Sequence, residues 1–286
     1  MKRRQVLSTM ALVTGGSMIQ CEGQVPKLKK PISQRINHSV CKWCYSRVPM
    51  EEMIDKCKDI GISSIEIIGP DNWDMVVKAG LQVGMANGSP LGISKGFCDT
   101  NNHAQLLSDL TDLIPKAADL GIEQIICFSG NRNGMDDMTG LENCAIGLDP
   151  VVKLAKKHNI KIVMELLNSK VDHKDYMCDH TTWGAALCEK LGMEEFKLLY
   201  DIYHMQIMEG DVIRTIRENS KYISHYHTGG VPGRNEINES QELYYPAIMN
   251  AIADLEDFDG FVAQEFIPTR KDPFISLAEG ITICDV

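Results

Sequence analysis

Short apolar runs alternate with longer stretches of helical periodicity through nearly the whole chain. The runs fall at 36–40, 62–68, 81–86, 122–128, 160–164, 196–200, 222–226 and 261–264, each of strand length. Between them, apolar residues recur at three- and four-residue spacing. In 49–60, Met53, Ile54, Cys57 and Ile60 fall on one helical face. The same spacing predicts helices over 73–79, 104–120, 139–158, 181–191, 212–219, 244–255 and 274–284, with Gly61, Gly80, Gly121 and Gly192 as stops. Eight strand–helix units in succession predict a single α/β domain, a (β/α)8 TIM barrel. An open doubly wound sheet would carry a glycine-rich phosphate turn after its first strand. Val40-Cys41-Lys42-Trp43 stands there instead.

Four of the later runs end on a polar residue that can bind a cation. Glu165 follows 160–164, Asp201 follows 196–200, His227 follows 222–226, and Glu265 follows 261–264. In a parallel barrel the carboxyl ends of different strands converge on one mouth. Two glutamates, an aspartate and a histidine there offer oxygen and imidazole ligands to one divalent cation. An acidic residue at a strand end can also cap the next helix, and for Asp201 that reading stands beside the metal one. No helix is expected directly after Glu165 or Glu265.

Composition narrows the picture. At 286 residues the chain has room for one barrel, and 44% hydrophobic with 24% charged residues is ordinary for a globular protein. A formal charge of −10 argues against a nucleic-acid partner, which needs a basic face. No run of 18 apolar residues is present to span a membrane. The ten cysteines are irregularly spaced, and those in helix and strand patterns read as core thiols. Cys41-Lys42-Trp43-Cys44 is the one CxxC; it lacks the second pair of a zinc site and the helix start of a redox motif. Residues 1–30 read as a leader outside the 31–286 barrel domain. Arg3-Arg4 followed by Val6-Leu7 resembles a twin-arginine export signal. Export to the periplasm is the expectation, with a cytoplasmic chain carrying a basic tail as the alternative. Gln20 before Cys21 is large for a lipid-attachment box.

Neighbours of the four strand-end residues suggest what else lines the mouth. His204, three residues after Asp201, is placed to hydrogen-bond a hydroxylated substrate. The turn Val231-Pro232-Gly233-Arg234-Asn235-Glu236 would present the Arg234 guanidinium to a carboxylate or hydroxyls, with Glu236 steadying that arginine. Glu66, closing the second run, could orient groups beside the metal or form a structural ion pair.

These residues carry a resemblance. Met164-Glu165-Leu166-Leu167-Asn168-Ser169, Tyr200-Asp201-Ile202-Tyr203-His204-Met205-Gln206, His225-Tyr226-His227, Val231-Pro232-Gly233-Arg234 and Gln264-Glu265-Phe266 resemble the sugar isomerase and epimerase superfamily of metal-dependent barrels related to xylose isomerase. Within it the hydroxypyruvate isomerase family is the most similar, from about residue 36 to the end. The resemblance implies that Glu165, Asp201, His227 and Glu265 bind the metal. It also implies that Glu165 and Glu265 transfer the proton, and that His204 and Arg234 meet the substrate, at a site where Glu236 is expected as well. Two positions depart from the pattern. Hydroxypyruvate isomerases tend to carry Gln where this chain has His227, as ketose epimerases do not. Asn235 replaces the histidine common in the family turn.

The chemistry so implied is proton abstraction next to a carbonyl, with return of the proton to a neighbouring carbon or to the other face of the same one. Three carboxylates and no thiolate favour Mn²⁺, Mg²⁺ or Co²⁺ over a structural zinc. The expected substrate is a small hydroxycarbonyl compound or sugar, with hydroxypyruvate to tartronate semialdehyde as the named candidate. A ketose 3-epimerase and a keto-sugar or inosose-type dehydratase start from the same abstraction and stay open. So does a non-catalytic exported sugar-binding barrel, though pure binding needs no pair of bases. A homo-oligomer is compatible with all of these.

Overall fold

The computed structural model describes residues 32–286; the leader, its arginine pair and Cys21 lie outside them. Seven parallel strands are β1 Asn37–Cys41, β2 Ser64–Glu66, β3 Gln124–Cys127, β4 Lys161–Glu165, β5 Phe196–Asp201, β6 Ile223–Thr228 and β7 Phe261–Gln264. Their spatial order is β2-β1-β7-β6-β5-β4-β3. The helices are α1 Met50–Ile60, α2 Pro70–Lys78, α3 His103–Asp119, α4 Asp137–Lys157, α5 Thr181–Leu191, α6 Ile202–Met208, α7 Val212–Asn219, α8 Tyr245–Ala253 and α9 Pro273–Cys284. No described helix is long and apolar enough to cross a membrane.

The third expected strand is the one correction to the eightfold pattern. Segment 81–86 forms no continuous ladder, yet it closes the ring between β2 and β3. Ile65 and Ile67 donate to Gln82 and Met85 carbonyls on one side, and Ala86 exchanges hydrogen bonds with Gln124 and Ile126 on the other. The interruption falls at Gly84, whose N–H donates to the Ser64 hydroxyl at 2.9 Å instead of to a carbonyl. A Cβ at Gly84 would lie 2.6 Å from that hydroxyl and 3.0 Å from the Glu66 carboxylate. The eighth stave therefore runs as isolated bridges, bringing bare backbone against two inward polar side chains.

Strand alternation sorts the core into two shells. Val40, Ile65, Ile125, Ile162, Met164, Leu198, Tyr200, Tyr226 and Val262 point outward into the helix layer and form the main apolar cluster. Met85, Ile126, Val163 and Leu199 pack together as a separate inner cluster. Glu165 is two residues on from Val163 and Asp201 two on from Leu199. The parity that buries the inner cluster therefore also carries both carboxylates into the barrel at its carboxyl end.

Candidate active site

Register places the strand-end residues side by side. Asp201 on β5 pairs with His227 on β6, and His227 pairs with Ala263 on β7, two residues before Glu265. Glu165 closes β4, opposite Leu199 of β5. Donor atoms of Glu165, Asp201, His227 and Glu265 all lie within 4.8 Å of one another, and all four residues are buried. His227 Nδ1 is 2.8 Å from Glu265 Oε2 and 3.3 Å from Glu165 Oε1. The four residues expected to converge do so.

The donor set fits a hard divalent cation: three carboxylates and one imidazole, with no thiolate among the four. Glu165 Oε1 is buried and lacks a hydrogen-bond partner, which suits an oxygen meant for an ion. Asp201 serves two roles at once, because α6 starts directly after it. The capping reading of Asp201 and the metal reading thus hold together, although the seven residues of α6 are too few to display a period. Asp201 Oδ1 accepts the His204 backbone N–H at 3.1 Å as the helix cap, while Oδ2 faces Arg234 Nη2 at 3.1 Å.

Arg234 reaches the centre of the group. Its Nη2 donates to Asp201 and to Glu265, and its Nη1 lies 2.8 Å from His204 Nε2. The guanidinium sits between two aromatic faces, 5.3 Å from the Trp43 ring centroid and 5.1 Å from that of Tyr203. The turn that delivers it is tight. Arg234 itself has φ +57°, and a Cβ at Gly230 would lie 2.3 Å from the Glu236 carbonyl. Trp43 Nε1–H donates to Glu265 Oε1 at 2.6 Å, adding a positioning group from the 3₁₀ turn after β1. An aromatic residue in place of a phosphate-binding turn was the signal that could have found it.

His204 lies lower than expected. It is fully buried, with Nδ1 beside the Asn168 backbone and side-chain amides at 3.1 and 2.6 Å and Nε2 against Arg234. It therefore reaches the mouth through the arginine. Glu236 is a correction: it does not face Arg234. Its carboxylate accepts from Thr269 N–H and from the Ser276 hydroxyl, both at 2.7 Å, tying the loop after β6 to the start of α9. Its backbone forms the turn while its side chain points to the neighbouring loop.

The charges push the two glutamates apart. Burial, aided by the nearby Glu265 charge, raises the Glu165 carboxyl above the ordinary glutamate range. Burial opposes ionisation of Glu265 as well, but Arg234 and His227 overcome it and hold that carboxyl well below the usual range. Adjacent carboxyls driven in opposite directions can divide acid and base work between them.

Below this group, Cys41, Glu66, His225 and His227 form a buried polar cluster. Cys41 Sγ is 3.7 Å from both Glu66 Oε1 and His227 Nε2, so the first cysteine of the CxxC lines the barrel interior. All nine described cysteines are free thiols.

The sequence profile of the xylose isomerase-like TIM barrel family matches residues 54–279. A 2-oxo-tetronate isomerase of Cupriavidus necator is 31% identical over 130 residues, covering 46% of this chain and 47% of that one. Hydroxypyruvate isomerase of Escherichia coli is 30% identical over 172 residues, covering 60% and 66%. The matched stretch thus spans about half the length of the first relative. Among solved structures, an AP endonuclease, family 2, of Brucella melitensis has a TM-score of 0.75 at 21% identity, covering 85% of this chain and 96% of that one. A 3-keto-D-glucoside 4-epimerase of E. coli has a TM-score of 0.72 at 17% identity, covering 86% and 97%. The IOLI protein, whose structure has a binding zinc atom, has a TM-score of 0.66 at 12% identity, covering 87% and 95%. At these identities the structural likeness carries the fold.

Proposed function

We propose that this chain, which belongs to the xylose isomerase-like TIM barrel family, is a metal-dependent isomerase of a small α-hydroxycarbonyl compound, with hydroxypyruvate to tartronate semialdehyde as the candidate reaction. The observation that carries this reading is the pair of buried glutamates, Glu165 and Glu265, flanking His227 Nδ1 at 3.3 and 2.8 Å. The names of the relatives support an isomerase.

A proton next to a carbonyl is weakly acidic, and its removal needs a base at close range and a way to stabilise the enediolate oxygens. Glu165, Asp201, His227 and Glu265 would hold a divalent cation, which when bound supplies Lewis-acid polarisation of the substrate oxygens. Glu265, held ionised by Arg234 and His227, takes the α-proton. Its carboxylate is aimed by the Trp43 N–H. Glu165 returns a proton to the neighbouring carbon, the hydroxyl proton moves to the former carbonyl oxygen, and the proton taken by Glu265 passes back to Glu165, so the carbonyl and hydroxyl exchange places with no net redox change. Arg234, steadied by His204 and two aromatic faces, orients the substrate's polar end and offsets charge on the enediolate.

The imidazole at position 227 also favours a second reading, a ketose 3-epimerase, in which the proton returns to the opposite face of the same carbon. Incubation of the metal-loaded chain in heavy water with hydroxypyruvate, free ketoses and 3-keto-sugars separates the two. The isomerase reading predicts deuterium in the product of hydroxypyruvate. Turnover of a ketose with none of hydroxypyruvate would replace it by the epimerase. We further propose export through the Arg3-Arg4 signal, on the strength of the basic leader. Replacing both arginines by lysine should then retain the protein in the cytoplasm, and unchanged export would refute the signal.

A further inference from the structure

Inside the barrel, one turn below the site, a carboxylate is buried among imidazoles. Glu66 closes β2, is completely buried, and its Oε1 lies 2.8 Å from both His225 Nε2 and His227 Nε2. Neither partner is its neighbour in sequence or along the sheet, because β1 and β7 stand between β2 and β6. The three side chains meet across the barrel's interior. Room for the carboxylate is made by the eighth stave, where a side chain at Gly84 would press on Glu66 Oε2 from 3.0 Å. A buried carboxylate held only for stability is a poor choice, since an ion pair in the interior is often no better than apolar packing.

The orientation of His227 gives the arrangement its use. Its Nδ1 faces Glu165 and Glu265, and its Nε2 faces Glu66. An imidazole that ligates through one nitrogen needs the proton kept on the other, and a carboxylate acceptor fixes that choice and the ring plane together. We infer that Glu66 is a positioning residue of the proposed metal centre, holding the His227 Nε2–H so that Nδ1 is presented to the cation, with His225 Nε2–H as the second donor to the same carboxylate oxygen. The inference rests on the metal reading above and specifies which imidazole nitrogen is the ligand.

Two measurements on the full chain test it: Mn²⁺ affinity by calorimetry, and the downfield imidazole N–H resonances of His225 and His227 in cation-free protein. Glu66→Gln keeps the volume and removes the charge. It should weaken Mn²⁺ binding about 10- to 100-fold and move both Nε2–H resonances. Asp136→Ala, which removes the cap donated to by Thr139 N–H on α4, should lower the melting temperature and leave Mn²⁺ affinity unchanged, separating lost stability from lost positioning. If Glu66→Gln does not fold, Glu66→Asp carries the same expectation by drawing the oxygens back one methylene. Wild-type affinity with unmoved resonances in a folded variant overturns the assignment. A wild-type chain that takes up no Mn²⁺ sinks the metal reading instead, and the His227 resonance alone then decides the positioning.

Discussion

The two sides of the barrel interior are built from opposite materials. On the side of β3, β4, β5 and the eighth stave, the inward layer is Ile126, Val163, Leu199 and Met85, a closed apolar cluster. On the side of β1, β2 and β6, the inward positions are Ser39, Cys41, Ser64, Glu66, His225 and His227, all buried. The apolar side gains its stability from close packing and would gain nothing from a polar atom. The polar side is held largely by mutual contacts: Ser39 donates to Ser64 at 2.9 Å and Glu66 Oε1 receives two imidazoles, while Glu66 Oε2 and His225 Nδ1 have no partner. Burial opposes ionisation of Glu66, yet His225 and His227 hold its carboxyl down to about 2. One side is a floor, and the other fixes orientation.

That contrast can be broken at its most sensitive point first. Glu265→Gln and Glu165→Gln should each lower kcat by about 10²–10⁴ while circular dichroism and melting stay close to wild type. Retention of most of the turnover in either variant would remove that glutamate from proton transfer. Asp201→Asn keeps the cap to His204 and removes one charge. Metal analysis should find the cation largely lost from this variant, and equal metal content in variant and wild type would dissociate Asp201 from the centre.

On the apolar side the expected effect is on stability. Leu199→Ala should cost about 2–5 kcal/mol, read as a lower denaturant midpoint, and leave Mn²⁺ affinity nearly intact. Should affinity fall in step with stability, the two sides are not separable. The smallest effect concerns His38, whose ring nitrogens lack hydrogen-bond partners within β1. Burial lowers its pKa, with only partial compensation from Asp285. Because the folded value lies below the unfolded one, the unfolded state binds more protons in the window just under the ordinary histidine range. Stability from this group is therefore present above that range and lost as pH falls through it. Replacing His38 by Gln should flatten that part of the melting-temperature profile, and an unchanged slope would clear His38 of the effect.

Much of the site was legible along the chain. Glu165, Asp201, His227 and Glu265 each sit one step past a strand-length apolar run, and period-two alternation fixes which way such a residue points once its strand is buried. Helix faces were readable for the same local reason, with α5 and α7 found at the expected bounds. Glu236 misled because its neighbour Arg234 does reach the site. Backbone turns at positive φ send adjacent side chains in unrelated directions, and no periodicity records where.

What the sequence determined by itself was therefore local: eight staves, their inward parity, and four metal-competent residues at strand ends. Tertiary structure alone decided that the eighth stave is reduced to bridges at Gly84, that Trp43 and Arg234 converge on Glu265, and that Glu66 meets His225 and His227. The physical reason is range. Alternation and helical period are fixed by covalent geometry within a few residues, whereas contacts across a closed ring depend on register and closure, which join positions as far apart as Glu66 and His227.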